Sequence, residues 1–294
     1  MRMTHAFTRL HFPKASNGRQ FAAELAYTSG MKKLGWLLFC ALVSSGLAVE
    51  SSVTIAGTIP GTLSLPNNAS GKLPAVLLLH GFASQKDEVG DMYKSLAAKL
   101  VAQGIASLRI DFQGSGDSKI PFEQMTFTNQ VSDAQAAFDY LKGRPEVDAA
   151  RLGLLGFSMG GGVAIKLAAN AANPVKSLAL WSSTSSRSLA DIEVGSRATA
   201  EKEGVVDVDL GFTKIKLGKA FYNSIQNQNL EADIGKFRGN TMLVYGTALS
   251  TRQFPKFQPG QHVQAFAQRG LPENQGQNSR LVQRGVRTTV MTGR

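Results

Sequence analysis

Residues 156–160 read Gly-Phe-Ser-Met-Gly, a Gly-x-Ser-x-Gly pattern centred on Ser158. A serine hydroxyl is a weak nucleophile. It becomes useful when a base takes its proton and N–H groups receive the oxyanion that forms when it attacks a carbonyl. The surroundings suit that chemistry. Residues 151–157 read as a buried strand, and a small-residue stretch over 160–170 reads as a helix. Strand, sharp turn and helix together hold a serine hydroxyl up at the carboxyl end of a strand. Without that context the same residues would be a glycine-rich turn with an idle serine.

A second stretch, Leu77-Leu-Leu-His80-Gly81-Phe82, ends an apolar run. In acyl transfer through a serine, one oxyanion donor is the amide of the residue after the nucleophile, here Met159. The other comes from the loop that follows the strand at 75–79, here assigned to Phe82. His80 could be mistaken for the base. Its place at a strand end makes it structural.

These residues need a scaffold that brings two strand ends together. Residues 75–79 are an unbroken apolar run, as a strand buried on both faces should be, and 105–112, 151–157, 175–181 and 241–245 also read as strands. Residues 92–103 and 127–142 have helical spacing and are followed by Gly104 and Gly143. Strand and helix in alternation imply parallel units in one doubly wound sheet, an α/β fold. Residues 53–65 read as two short strands with a turn at Pro60-Gly61. Residues 184–239 break the rhythm. Leu210, Phe212, Ile215, Leu217, Phe221 and Tyr222 are spaced there as in amphipathic helices, which predicts a helical lid over one end of the sheet.

The chain has 294 residues, is 43% hydrophobic and carries a formal net charge of +11. The charge sits at the ends: +3 over residues 1–30 and +6 over 250–294, which leaves +2 for the body. Nucleic acid is therefore a poor partner for the body. The single cysteine, Cys40, excludes an internal disulfide and a thiolate metal cluster. Residues 31–48 begin Met-Lys-Lys, run through an apolar core of about ten residues and end Gly-Leu-Ala, as an export signal cleaved before Val49 would. That core is shorter than the roughly 20 residues of a membrane span. The expectation is an exported protein, periplasmic or secreted, whose translation starts at Met31, with residues 1–30 a non-native extension. No stable membrane span would remain after cleavage.

With His80-Gly-Phe82, "DMYKSLAAKLVAQGIASLRIDFQGSGDS", "FEQMTFTNQVSDAQAAFDYL" and "RLGLLGFSMGG" in view, the chain resembles the α/β-hydrolase superfamily. Within it, the chain is most similar to cinnamoyl/feruloyl esterases and serine aminopeptidase-like hydrolases. The resemblance runs over residues 53–248. It implies a domain over 49–249 with the lid at 184–239, and a serine esterase that acts on a small-molecule ester, one of an aromatic acid included. It implies no metal and no organic cofactor. Ser158 would be the nucleophile, and the Phe82 and Met159 amides the oxyanion hole. His80 matches the family's non-catalytic His-Gly. Asp111 and Asp117 precede the nucleophile, so they are read as ordering the loop and not as the triad acid.

The pattern fails late in the chain. The family carries Gly-Thr-x-Asp after the strand at 241–245, and this chain carries Gly246-Thr-Ala-Leu249. No aspartate follows Asp233, and Glu273 is the single carboxylate after Gly246. The one histidine after Ser158 is His262, at the front of Val-Gln-Ala-Phe-Ala-Gln, which reads as a helix start. Residues 250–294 show no strand-like run, so a final strand and helix are expected to be missing and the basic tail disordered. Three readings stay open: a reading-frame change near the Leu249 codon, an inactive fold kept as a binding or structural protein, and an enzyme that uses His262 and Glu273 in unusual places.

Overall fold

The computed structural model describes residues 48–67, 69–192, 195–246, 263–268 and 287–290. The strands are β1 (Ala48–Ile55), β2 (Ile59–Pro66), β3 (Leu73–Leu79), β4 (Ala106–Ile110), β5 (Val147–Phe157), β6 (Val175–Trp181), β7 (Val205–Asp209), β8 (Lys214–Gly218), β9 (Asn240–Gly246), β10 (Val263–Gln268) and β11 (Arg287–Val290). The α-helices are α1 (Met92–Ala102), α2 (Phe127–Lys142), α3 (Met159–Ala169), α4 (Ser186–Ala190), α5 (Arg197–Glu203), α6 (Lys219–Ile225) and α7 (Leu230–Ile234).

Nine strands form one sheet in the order β1-β2-β4-β3-β5-β6-β9-β10-β11. The six from β4 to β10 are parallel to their neighbours. β1, β2 and β11 add antiparallel edges. The strand residues explain the layering. In β3, Leu77 and Leu79 join the large core that includes α2 and α3, whereas Leu78 turns to the other face with Tyr93 of α1 and Leu155 of β5. A strand covered on both faces must be apolar at every position, and β3 is.

The helices start and stop where their sequences say. The Thr126 hydroxyl accepts the Asn129 amide at 2.9 Å and so caps α2, and Gly143 closes it. The face of α2 turned to the core carries Phe127, Ala134, Phe138 and Leu141. Val131 is partly buried against the core.

Four sequence expectations are corrected. The first hairpin turns at Ala56-Gly57, both at positive φ, and not at Pro60-Gly61. Pro60 pairs with Thr54 inside the hairpin. Glycine is the residue that takes positive φ at little cost, so Gly57 governs the turn. The lid is only partly helical, because β7 and β8 form an antiparallel hairpin within it. Ile215 and Leu217 alternate along β8, and Leu210 and Phe212 stand at its turn. A period of two over Val205–Asp209 and Lys214–Gly218 outweighs the loose helical spacing. Residues 263–268 are a strand and not a helix start: β10 pairs in parallel with β9 along its whole length. The tail therefore does contribute strands, with β11 antiparallel to β10. The unpaired N–H and C=O groups at the β9 edge are the physical reason for that pairing.

Candidate active site

The site is assembled at the carboxyl ends of the parallel strands, where a doubly wound sheet places its ligands. β5 ends at Phe157, and Ser158 follows with φ 51° and ψ −120° before α3 begins. A non-glycine residue held there is strained, and the surroundings hold it in place. The Ser158 amide donates to the Trp181 carbonyl at 3.0 Å. Its carbonyl accepts the Gly161 and Thr184 amides, each at 3.0 Å. The turn is thus fastened to β6 and to the loop after it. A β-carbon at Gly160 would collide with the Leu79 carbonyl, so glycine is what lets α3 start directly against the end of β3.

The neighbouring strand end brings the second part. A β-carbon at Gly81 would lie 3.2 Å from Ser158 Cβ and 3.2 Å from Phe157 Cδ1, so the His80-Gly81-Phe82 loop lies against the serine turn. Ser158 and Phe82 are half-buried, and Met159 is buried. Among the described residues, neither the Phe82 nor the Met159 amide donates to an acceptor. The Ser158 hydroxyl has no partner there either. Three of the residues singled out in the sequence are therefore brought together. His262, Leu249 and Glu273 lie outside the described residues.

His80 is fully built into the fold. Its Nδ1 lies 2.7 Å from the Gly81 carbonyl, and its Nε2 lies 3.2 Å from the Phe112 amide. A carbonyl only accepts and an amide N–H only donates. The ring is therefore the neutral tautomer with its proton on Nδ1. Burial holds its pKa below the ordinary histidine value, against the pull of the Gly81 carbonyl and of the Glu88 and Asp111 charges. A ring with both nitrogens engaged is no general base, in keeping with its reading as structural.

Asp111 and Asp117 also stand where the sequence put them, in the loop after β4. The buried Asp111 carboxylate accepts the Lys86 amide at 2.6 Å, the Lys86 Nζ at 2.9 Å and the Asp117 amide at 3.0 Å. Lys86 Nζ also reaches Asp117 at 2.6 Å. Burial lowers the Lys86 pKa, but the hydrogen bonds that its ammonium donates to these two carboxylates leave it raised. The loops after β3 and β4 are locked together by this lysine.

Sequence reasoning missed Lys86, Glu88 and Tyr93. Glu88 is a buried carboxylate that accepts the Gly81 amide at 2.7 Å and the Ser84 hydroxyl at 2.6 Å. Tyr93 donates its hydroxyl to the Leu79 carbonyl at 2.9 Å, and burial raises its pKa well above the usual tyrosine value. No periodic pattern marks such residues, because their partners are single polar groups of loops and strand ends. Tyr245, at the end of β9, is pushed up to about 12 by burial, with the Ser183 backbone opposing the shift.

Aromatic rings flank the His80-Gly81-Phe82 loop. Phe82 packs on Phe221 of the lid at a ring-centroid distance of 5.4 Å and on Phe122 at 6.0 Å.

A mostly parallel sheet flanked by helices, with a strained serine turn at its carboxyl edge, defines the α/β-hydrolase fold. Residues 72–232 match the family described as serine aminopeptidase, S33, and the chain belongs to that family. It is 34% identical over 117 residues to the putative hydrolase YtaP of Bacillus subtilis, covering 33% of this chain and 39% of that one. It is 31% identical over 123 residues to a bis(hydroxyethyl) terephthalate hydrolase of Streptomyces coelicolor, covering 40% of this chain and 36% of that one. The chain thus spans well under half the length of these curated relatives. Among solved structures, Est1E of Butyrivibrio proteoclasticus with ferulic acid bound superposes with a TM-score of 0.57 at 20% identity. That superposition covers 74% of this chain and 89% of the other.

Proposed function

We propose that the chain is a serine esterase that hydrolyses carboxylic esters through an acyl-enzyme on Ser158. The observation that carries this reading is the seat of Ser158: a strained turn pressed against Gly81, with the neighbouring Phe82 and Met159 amides unengaged among the described residues. The Ser158 oxygen attacks the ester carbonyl, and the carbonyl electrons move onto oxygen, where the two N–H groups receive them. The bond from the carbonyl carbon to the alcohol oxygen then breaks, and the alcohol leaves with the proton that the Ser158 hydroxyl gave up. Water attacks the acyl-serine in the same way and releases the acid. The rings of Phe82, Phe122 and Phe221 favour an aromatic or otherwise apolar acyl group. The S. coelicolor relative, by its name, acts on an aromatic ester, and the Est1E structure holds an aromatic acid.

The rate expected of this sequence is low, because Leu249 stands where the family carries its acid. Serine hydrolases lacking a triad member keep about 10³–10⁴-fold catalysis over water. The leucine also favours a second reading, an inactive fold that serves as a binding or structural protein. Turnover of a p-nitrophenyl ester by the full chain, beside its Ser158→Ala variant, separates the two. A rate that disappears in the variant supports the esterase. Equal rates remove it. Rapid labelling of Ser158 by a fluorophosphonate would add that His262 or Glu273 completes the site.

Export is part of the same proposal. Cleavage before Val49 would keep Glu50, whose carboxylate accepts from the buried Arg109 at 2.8 Å. Mass spectrometry of the mature chain checks this, and an N-terminus upstream of residue 31 would overturn it.

A further inference from the structure

Glu88 is 3% exposed, and among the described residues no basic side chain pairs with it. Burying a carboxylate without a counter-charge is costly unless hydrogen bonds compensate. Here three donors do so. Oε2 accepts the Gly81 amide at 2.7 Å, and Oε1 accepts the Ser84 hydroxyl at 2.6 Å and the Val89 amide at 3.2 Å. Glu88 holds φ 60° and ψ 179° to reach them, a conformation seldom taken by a residue with a side chain. The carboxylate thus closes the whole 81–89 loop onto the amide next to the oxyanion donor.

The two peptide planes that flank Gly81 are both fixed. Glu88 holds the His80–Gly81 plane by its N–H, and the His80 Nδ1–H holds the Gly81–Phe82 plane by its C=O at 2.7 Å. Peptide bonds in the described chain are trans, so the N–H and C=O of one plane point in opposite directions. With the Gly81 carbonyl held toward the imidazole, the Phe82 N–H must point away from it. A glycine between the planes would otherwise turn freely.

We propose that Glu88 is a positioning residue for the oxyanion hole: its carboxylate clamps the Gly81 amide so that the Phe82 N–H is held in its donating orientation. This rests on the esterase reading of Ser158. The carboxylate serves as a hydrogen-bond acceptor, since its negative charge would oppose an oxyanion.

The test uses the full chain with Glu88→Gln and Glu88→Ala, and two readouts. In kinetics on a p-nitrophenyl ester, Glu88→Ala should lower kcat by about 10²-fold, the size of effect that a misplacement of about 1 Å produces, with KM little changed. Glu88→Gln keeps one carbonyl acceptor for Gly81 and should recover most of that loss. A loss of folded protein alone would instead lower kcat in proportion to the sites titrated by a fluorophosphonate, so kcat is taken per labelled site. In crystal structures, Glu88→Ala should show the His80–Gly81 peptide rotated and the Phe82 N–H displaced with it, and Glu88→Gln should show neither. An unrotated peptide and unchanged kcat in Glu88→Ala would overturn the proposal. If the parent chain turns over no ester beyond Ser158→Ala, the esterase reading fails, and the peptide orientation in the two crystal structures still decides whether Glu88 is the clamp.

Discussion

Gly81 lies so close to Ser158 that a β-carbon on one would stand 3.2 Å from the β-carbon of the other. The two residues are 77 positions apart in sequence and are joined by the parallel pairing of β3 with β5. That pairing sets Leu79 beside Gly156, so both strands end at the same level. Gly81→Ala should therefore act on the serine turn directly. A contact of 3.2 Å is tight but can relax, so the expected stability change is modest, about 1–2 kcal/mol. The expected fall in fluorophosphonate labelling of Ser158 is larger, about 10²-fold. Unchanged labelling in the alanine variant would show that the loop does not shape the site.

His80 predicts an acid sensitivity. Its pKa is lowered in the fold, so below the ordinary histidine value near 6.5 the unfolded chain takes up a proton that the folded chain refuses. Acid therefore favours the unfolded state. The stabilising contribution is complete above pH 6.5 and is lost as the pH falls toward the lowered folded value, by up to about 1.4 kcal/mol per pH unit. Urea unfolding at pH 7.5, 6.5 and 5.5 measures this slope. His80→Gln should flatten it, and an identical slope in that variant would refute the assignment.

Lys86 and Asp117 form a pair with unequal consequences. The Asp111 side chain is fully buried, whereas that of Asp117 is 73% exposed. Lys86→Met leaves a buried carboxylate without its counter-charge and should cost about 3–5 kcal/mol. Asp117→Ala removes an exposed partner and should cost less than about 1 kcal/mol. Thermal or urea unfolding of the two variants checks the ranking. Equal losses would mean that Lys86 acts mainly through Asp117.

Gly160 and Gly104 offer a contrast of the same kind. A β-carbon at Gly160 meets the Leu79 and His80 carbonyls, which are backbone atoms that cannot step aside. Gly160→Ala should destabilise by more than about 4 kcal/mol or prevent folding. Gly104 has φ +74° but open space around it, so Gly104→Ala should cost about 1 kcal/mol. Soluble, Gly160→Ala protein with unchanged unfolding would contradict the packing of α3 on β3.

Much of this was legible in the sequence, and particular residues show where legibility stopped. The apolar runs ending at Leu79 and Phe157 read as buried strands because a strand covered on both faces has no polar position to spare. The α2 helix read at its true bounds because its apolar period and its Gly143 stop agree, and the structure adds the Thr126 cap. Agreement failed in the lid, where Ile215 and Leu217 fit two periods, and pairing with β7 chose the strand. It failed again at Val263–Gln268, where the open edge of β9 supplied the partner that a short apolar run needs.

By itself the sequence determined the chemistry-bearing types: Ser158 between its glycines, and His80-Gly81-Phe82 at the end of a buried run. Those are local facts, carried by neighbours within a few residues. The tertiary structure alone decided that Gly81 touches Ser158, that His80 is neutral with its proton on Nδ1, and that Glu88 reaches back to the Gly81 amide. Each of these depends on hydrogen bonds or contacts between atoms brought together by folding. Their partners are backbone groups, which every residue carries, so no pattern of side chains could have announced them.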